Sequence, residues 1–368
     1  MGKVLNLNIG ILGHVDSGKT SLAKALSTTS STAAFDKNPQ SRERGITLDL
    51  GFSSFSLEVD EELTSRLPLL SSYSHIQFTL VDCPGHASLF RTVIGGAQTI
   101  DMVVLVVDAV KGLQTQTAEC LLLAEITCPH PDRLLLVLNK LDLLGPQPAP
   151  KLDKLKKRLA KTLESTVFKE ARMVPVSACP GADAVASSAD VSELIQALKD
   201  SLFIPKRAAD GPFLFAVDHC FPIKGQGTVT TGTVIKGSVK VGDSVEIPAL
   251  GEKKKVKSIQ VFRKAVEGVS EGERCGLCLA GLEARTLERG LVATPGSLPR
   301  VYAAIVSFHP IAYFKAPVSS KSRFHISIGY DTIMGRLALF SATQPGQMEF
   351  DWQQQYRHVD QYDGKKTV

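Results

Sequence analysis

The stretch Gly13-His14-Val15-Asp16-Ser17-Gly18-Lys19-Thr20 fits the pattern G-x-x-x-x-G-K-T. It lies between the apolar run Leu7-Asn8-Ile9-Gly10-Ile11-Leu12 and a helix-like run from Ser21 to Ser27. Strand, Gly-rich turn and helix in that order are what distinguish a phosphate-binding loop from a chance match. Glycines let the backbone curl until successive N–H groups face phosphate oxygens. The helix start adds partial positive charge. Lys19 is placed to reach the β- and γ-phosphates, and the Thr20 hydroxyl to ligate Mg²⁺. The competing explanation, an ordinary Gly-containing turn beside a surface lysine, does not account for the flanking strand and helix.

Outward from this loop, the chain reads as alternating strands and helices. Residues 4–12 are a core strand and 19–27 a helix, with a polar loop over 30–45 and a strand over 48–57. Residues 58–75 are acidic, then serine-rich, without a clear period, and read as a surface insertion. The strand Ile76–Val81 runs into Asp82-Cys83-Pro84-Gly85-His86. A carboxylate at the tip of a buried strand suits a second Mg²⁺ contact, and Gly85 offers a backbone N–H that can approach a γ-phosphate.

Met102–Val107 and Leu134–Leu138 are continuous apolar runs, the mark of parallel strands covered on both faces. The second opens into Asn139-Lys140-Leu141-Asp142. The Asp142 carboxylate can accept both N–H donors of guanine; adenine lacks the amine and turns an acceptor towards it. Ser177-Ala178-Cys179 follows a short strand and forms a turn suited to the guanine O6. The expected fold is α/β, a doubly wound and mostly parallel sheet with its ligand at the carboxyl ends of the strands.

Composition sets wide bounds. The 368 residues suggest two to three domains, and 43% hydrophobic with 21% charged residues describe a globular chain with ample core. A net charge of +5 permits a polyanionic partner without demanding one. Seven irregularly spaced cysteines point to a reducing, cytoplasmic setting. The single C-x-x-C at Cys275–Cys278 is better explained as a strand with two small apolar residues than as a zinc site. No signal peptide or membrane span is expected.

After the linker-like Pro205–Pro212 the periodicity shifts to two, with short strands about 10 residues apart, which reads as a small β-barrel. The basic run Glu252–Lys257 is open to two explanations: contact with RNA phosphates, or a solvated barrel edge guarded by lysines. The basic helix Lys151–Ser165 reads as a solvated face.

The motifs GHVDSGKT, RGIT, DCPGH, NKLD and SAC, in this order over roughly residues 4–205, resemble those of the translational GTPase family. The tracts Arg44–Phe52 and His86–Ala97 are similar to the selenocysteine-specific branch of eukaryotes rather than to the general tRNA carrier. The resemblance implies a GTP hydrolase that uses Mg²⁺. It implies that Thr47 closes on Mg²⁺ and the γ-phosphate, with Asp82 and Gly85 as partners. His86 would position the attacking water, behind an apolar gate of Val15 and Ile46, and Asp16 would support loop geometry.

It further implies that Asp218, His219 and Arg274 line an aminoacyl pocket. The chemistry is consistent: selenocysteine is an anion at neutral pH whereas serine is neutral, so Arg and His can discriminate by charge. A strand histidine satisfied by a neighbouring Asp, with a surface Arg nearby, is the alternative.

The division expected is a GTPase domain over 1–205, a barrel over 206–298, and an incomplete second barrel over 299–368. Within the last, Ala303–Phe308 and Arg323–Ser327 read as strands, and 341–368 as a loose tail. The family pattern continues beyond this length, so a fragment or shortened isoform is expected, without the part that engages the selenocysteine-insertion RNA machinery. The partners implied are selenocysteinyl-tRNA and the ribosome. Another tRNA cargo, or a GTP-binding fragment without delivery activity, are the alternatives.

Overall fold

Val103 through Val107 are buried at every position, and so are Leu134 through Leu138, as strands must be when helices cover both faces of a sheet. In the computed structural model these runs are β5 (Met102–Asp108) and β6 (Leu134–Asn139). The structure describes residues 3–27, 29–30, 50–85, 99–146, 148–179, 191–299, 301–308, 316–328, 331–343 and 350–362.

The first sheet has seven strands in the order β2-β3-β4-β1-β5-β6-β7. Its other members are β1 (Lys3–Leu12), β2 (Thr29–Ser30), β3 (Gly51–Glu58), β4 (Tyr73–Asp82) and β7 (Arg172–Pro175). Strands β4, β1, β5, β6 and β7 run parallel; at one side β3 pairs antiparallel with β4, and β2 antiparallel with β3. On one face α1 (Lys19–Leu26) buries Leu22, Ala23 and Leu26, spaced to share one helix side. The other face is covered by α3 (Thr115–Thr127) and α4 (Pro148–Leu163). Helix α4 buries only Leu155, Leu159 and Leu163, one stripe at a spacing of four. Each such leucine contributes roughly 2 kcal/mol on burial, and Lys157 and Lys161 between them face solvent.

Residues 58–75 are not the irregular insertion expected. Helix α2 (Glu61–Arg66) is capped by Asp60, whose carboxylate accepts from Leu63 N at 2.8 Å, and a 3₁₀ turn spans Pro68–Ser72. Leu63 and Leu70 drop into the core, and two isolated leucines leave no period to detect.

A second seven-stranded sheet closes into a barrel. Its order is β11-β16-β8-β9-β15-β12-β13, and an extra β11–β12 pairing shuts the ring. The ring strands are β8 (Leu214–Ile223), β9 (Gly227–Lys236), β11 (Ser244–Ile247), β12 (Glu252–Val261), β15 (Arg274–Leu279) and β16 (Gly290–Ala293). The small strand β13 (Lys264–Val266) extends it beside β12, and β10 (Ser238–Lys240) and β14 (Gly268–Ser270) pair with each other as a separate ladder. In the lysine run, Lys253, Lys254 and Lys255 pair with β11 on one side, and β15 bonds β12 further along, from Val256 to Gln260.

The last part carries three two-stranded ladders: β17 (Val318–Ser319) with β22 (Gln361–Tyr362), β18 (Arg323–Ile328) with β19 (Asp331–Arg336), and β20 (Leu339–Ala342) with β21 (Tyr356–Val359). Two expectations fail here. Residues 303–308 form no strand and are largely exposed. The supposed tail contributes β21 and β22, because Phe340, Phe350 and Tyr356 stack together with centroids 4.9–6.0 Å apart and supply the apolar surface the composition hides. Among the described residues no helix is long and apolar enough to cross a membrane. The seven cysteines are free thiols.

Candidate functional site

Strand β1 ends at Leu12 and α1 starts at Lys19, so residues 13–18 make the turn between them. Gly18 is the helix N-cap with φ +91°, and a Cβ there would collide with Asn139 Nδ2. A side chain on Gly13 would strike the Val106 carbonyl. Both glycines are thus required by close approach of neighbouring strands. Asp16 takes φ +61° and is exposed.

Lys19 is 6% exposed, with Nζ donating to the His14 carbonyl at 2.8 Å. Burial works against its charge, and Asp82 partly offsets this. His14 is also buried; neither ring nitrogen nor the buried Ser17 hydroxyl has a hydrogen-bond partner among the described residues. Burial, followed by the nearby Lys19 charge, lowers the His14 pKa, so its ring stays neutral at pH 7. Val15 N donates to Gln116 Oε1 at 3.1 Å.

The other loops converge on this turn. Thr20 Oγ1 donates to Asp82 Oδ2 at 2.7 Å, at the carboxyl end of β4. Gly85 lies against the Lys19 ammonium, the Gly13 carbonyl and Val15 N. Asn139, at the end of β6, donates from Nδ2 to the Ser17 carbonyl at 2.9 Å and accepts at Oδ1 from Ala178 N at 3.0 Å. One amide therefore ties together the turns that begin at Gly13, Asn139 and Ser177. Lys140, at φ +67°, pairs with Asp108 at 2.9 Å. Burial disfavours the Asp108 carboxylate, but the Lys140 and backbone hydrogen bonds prevail and lower its pKa. Asp142 is exposed beyond Lys140, and Cys179 is exposed beside the buried Ala178. Thr47, Ile46 and His86 lie outside the described residues.

Asp108 was missed by the sequence reading. Its only signal was its place at the end of an apolar strand, the position that Asp82 and Asn139 also occupy.

The barrel holds a second polar cluster. Strand β8 bulges at Asp218, between the pairs Val217↔Gly232 and His219↔Thr231, and bulges re-aim side chains. The buried Asp218 carboxylate accepts from both Arg274 guanidinium nitrogens and from Thr231 Oγ1 at 2.8 Å, and lies 2.9 Å from His219 Nδ1. Burial opposes the Asp218 charge, but Arg274 and His219 outweigh it and hold the pKa at about 2. Arg274 is not a surface residue: it is 4% exposed, and its guanidinium lies 3.2 Å from the centroid of the Phe52 ring. His219 remains 31% exposed. A depression beside Arg274 is lined by Thr231, Gln260 and Cys278 among others.

Sheet and barrel are bonded directly. Asn6 and Asn8 of β1 both donate to the Gly272 carbonyl, at 2.7 and 2.8 Å. Arg207 pairs with Asp101 at 2.6 Å, and Asp101 Oδ2 accepts from Asn8 N at 2.8 Å.

Family models match in three places: the elongation factor Tu GTP binding domain over residues 5–210, elongation factor Tu domain 2 over 227–294, and the third domain of eukaryotic selenocysteine-specific elongation factors over 305–367. The chain is 51% identical to a selenocysteine-specific elongation factor of Mus musculus, over 98% of this chain and 62% of the relative. It is 38% identical to one from Methanocaldococcus jannaschii, over 89% and 65%. It thus spans less than two thirds of either relative. Translation elongation factor SelB of Methanococcus maripaludis, crystallised with the GTP analogue GppNHp, superposes with a TM-score of 0.68 at 26% identity, covering 98% of this chain and 73% of that one.

Proposed function

The chain belongs to the elongation factor Tu GTP-binding family of translation factors, and from that premise we propose that it binds GTP with Mg²⁺, hydrolyses it to GDP and phosphate, and carries selenocysteinyl-tRNA to the ribosome in the cytoplasm. The observation that carries the nucleotide reading is the Asn139 side chain, which bonds Ser17 and Ala178 and so draws three loops around one place. We divide the chain into a GTPase domain over 1–205, a barrel over 206–298 and a further β region over 299–368.

The residues take roles their positions favour. Backbone N–H groups of 13–20 would face the phosphates, and Lys19 would exchange its His14 carbonyl for phosphate oxygens. Asp142 would accept the guanine N–H donors, and Ser177 to Cys179 would face the guanine O6. Thr20 and Asp82 already share a hydrogen bond and present only hard oxygen donors, a set suited to Mg²⁺. With Thr47 they would hold that ion, whose charge offsets the β- and γ-phosphates when bound. Gly85 and Thr47 would contact the γ-phosphate, and His86 would orient the attacking water. Positioning of this kind is what phosphoryl transfer needs.

For the cargo, the barrel cluster supports discrimination by charge. The Arg274 guanidinium donates to Asp218, and the His219 ring lies beside the same carboxylate. A selenolate would be preferred there over a neutral hydroxyl. Comparing selenocysteinyl- and seryl-tRNA on one tRNA body tests this: tighter binding of the first is expected, and equal affinity would refute the cargo.

A further inference from the structure

Within the barrel cluster, Arg274 also touches the first sheet. Its guanidinium is gripped by Asp218 on one side and covered by the Phe52 ring on the other. Phe52 is 2% exposed and belongs to β3, which begins directly after the segment that carries Thr47. In register, Gly51 faces Asp82 and Phe52 faces Val81. The ring that covers Arg274 is therefore one residue from the pairing partner of Asp82.

The same barrel turn is held a second time. Gly272, two residues before Arg274, takes its bonds from Asn6 and Asn8 on β1. Strands β1 and β3 flank β4 on either side. One turn of the barrel thus straddles the strand that ends in Asp82, fixed by hydrogen bonds on one side and by an aromatic face on the other. The two contacts differ in kind. Asn6 Oδ1 also accepts from Thr79 Oγ1 at 2.8 Å, which ties the β1 side to β4. The stack on Phe52 is a face contact, without a hydrogen bond to Arg274.

We propose that Phe52 is a specificity-positioning residue: its ring holds the Arg274 guanidinium in the Asp218 fork, so that charge discrimination in the barrel depends on where β3 stands. The proposal rests on the reading of Asp218, His219 and Arg274 as an aminoacyl pocket. A planar, weakly hydrated guanidinium suits this arrangement, because one face can stack while the edge donates to a carboxylate. A lysine would keep the charge and lose the face.

The test uses the full chain loaded with a non-hydrolysable GTP analogue, and reads the ratio of seryl-tRNA to selenocysteinyl-tRNA dissociation constants on one tRNA body. Phe52→Leu should lower that ratio about tenfold while guanine-nucleotide affinity is kept. Arg274→Lys leaves the core of the first sheet intact and should lower the ratio similarly. The double variant should be no worse than Arg274→Lys alone, since both changes remove one contact. An unchanged ratio in Phe52→Leu, or a second full loss in the double variant, overturns the role of Phe52 and leaves the pocket standing. If Arg274→Lys and His219→Ala both keep the wild-type ratio, or if the wild-type chain binds neither tRNA, the pocket reading fails and the role of Phe52 falls with it.

Discussion

Asn139 Nδ2 donates to the Ser17 carbonyl at 2.9 Å across 122 residues of sequence, in the space that a side chain on Gly18 would fill. The purine-facing loop and the phosphate-facing loop are therefore built against one another. Gly18→Ala tests the consequence. Its φ of +91° and the approach of Asn139 both penalise a Cβ. Stability should fall by about 1–3 kcal/mol and nucleotide affinity by at least roughly tenfold. Thermal unfolding and nucleotide titration measure both, and wild-type affinity would contradict the packing described.

Gly272→Ala tests the joint between sheet and barrel. At φ +85° its Cβ would meet the Arg207 guanidinium, which pairs with Asp101. Gly251, at φ +67° with open space around it, is the control. Gly251→Ala should cost about 1–2 kcal/mol from backbone strain, and Gly272→Ala about 1 kcal/mol more, from the displaced ion pair. Equal losses in denaturant unfolding would mean the Arg207 contact contributes nothing.

Asp218 gives a pH dependence with a defined sign. Its pKa falls from 3.8 to about 2 in the folded chain. The stabilisation is fully present above the unfolded value and is lost as pH falls through the folded one, a window of about pH 4 to 2 worth about 2 kcal/mol. Asp218→Asn should lack that part of the acid slope. At neutral pH it should be less stable by roughly 3 kcal/mol, because Arg274 stays buried without its counter-charge. Urea unfolding at stepped pH decides it, and identical slopes would refute the pairing.

His86→Ala should abolish ribosome-stimulated GTP hydrolysis and leave GTP binding within about twofold, because a residue that orients water contributes to the transition state and not to the ground state. A parallel collapse of binding would assign His86 a different role.

The phosphate turn, the parallel core strands and the barrel were legible because each has a local signature: fixed glycine spacing, unbroken apolar runs, alternation at period two. What escaped was non-local or sparse. Asn6 and Gly272 are 266 residues apart in sequence, and nothing near either one announces the other. Phe52 reads as one more core aromatic until Arg274 is seen above it. Leu63 and Leu70 are too few to make a period. Residues 303–308 are apolar enough to suggest a strand, yet they pair with nothing in the described ladders. The Asp218–His219–Arg274 group was visible only through family likeness; the bulge that turns Asp218 inward leaves no mark in composition.

The proposed nucleotide site is guanine-selective, with Asp142 as the base-reading carboxylate. Titrating the wild-type chain and Asp142→Asn with GTP, XTP and ATP in Mg²⁺ tests it most directly. The wild type should bind GTP and reject ATP, and the variant should lose GTP and gain XTP, because an amide cannot accept both guanine donors but can donate to xanthine. Equal binding of ATP by the wild type, or an undiminished GTP preference in the variant, would contradict it.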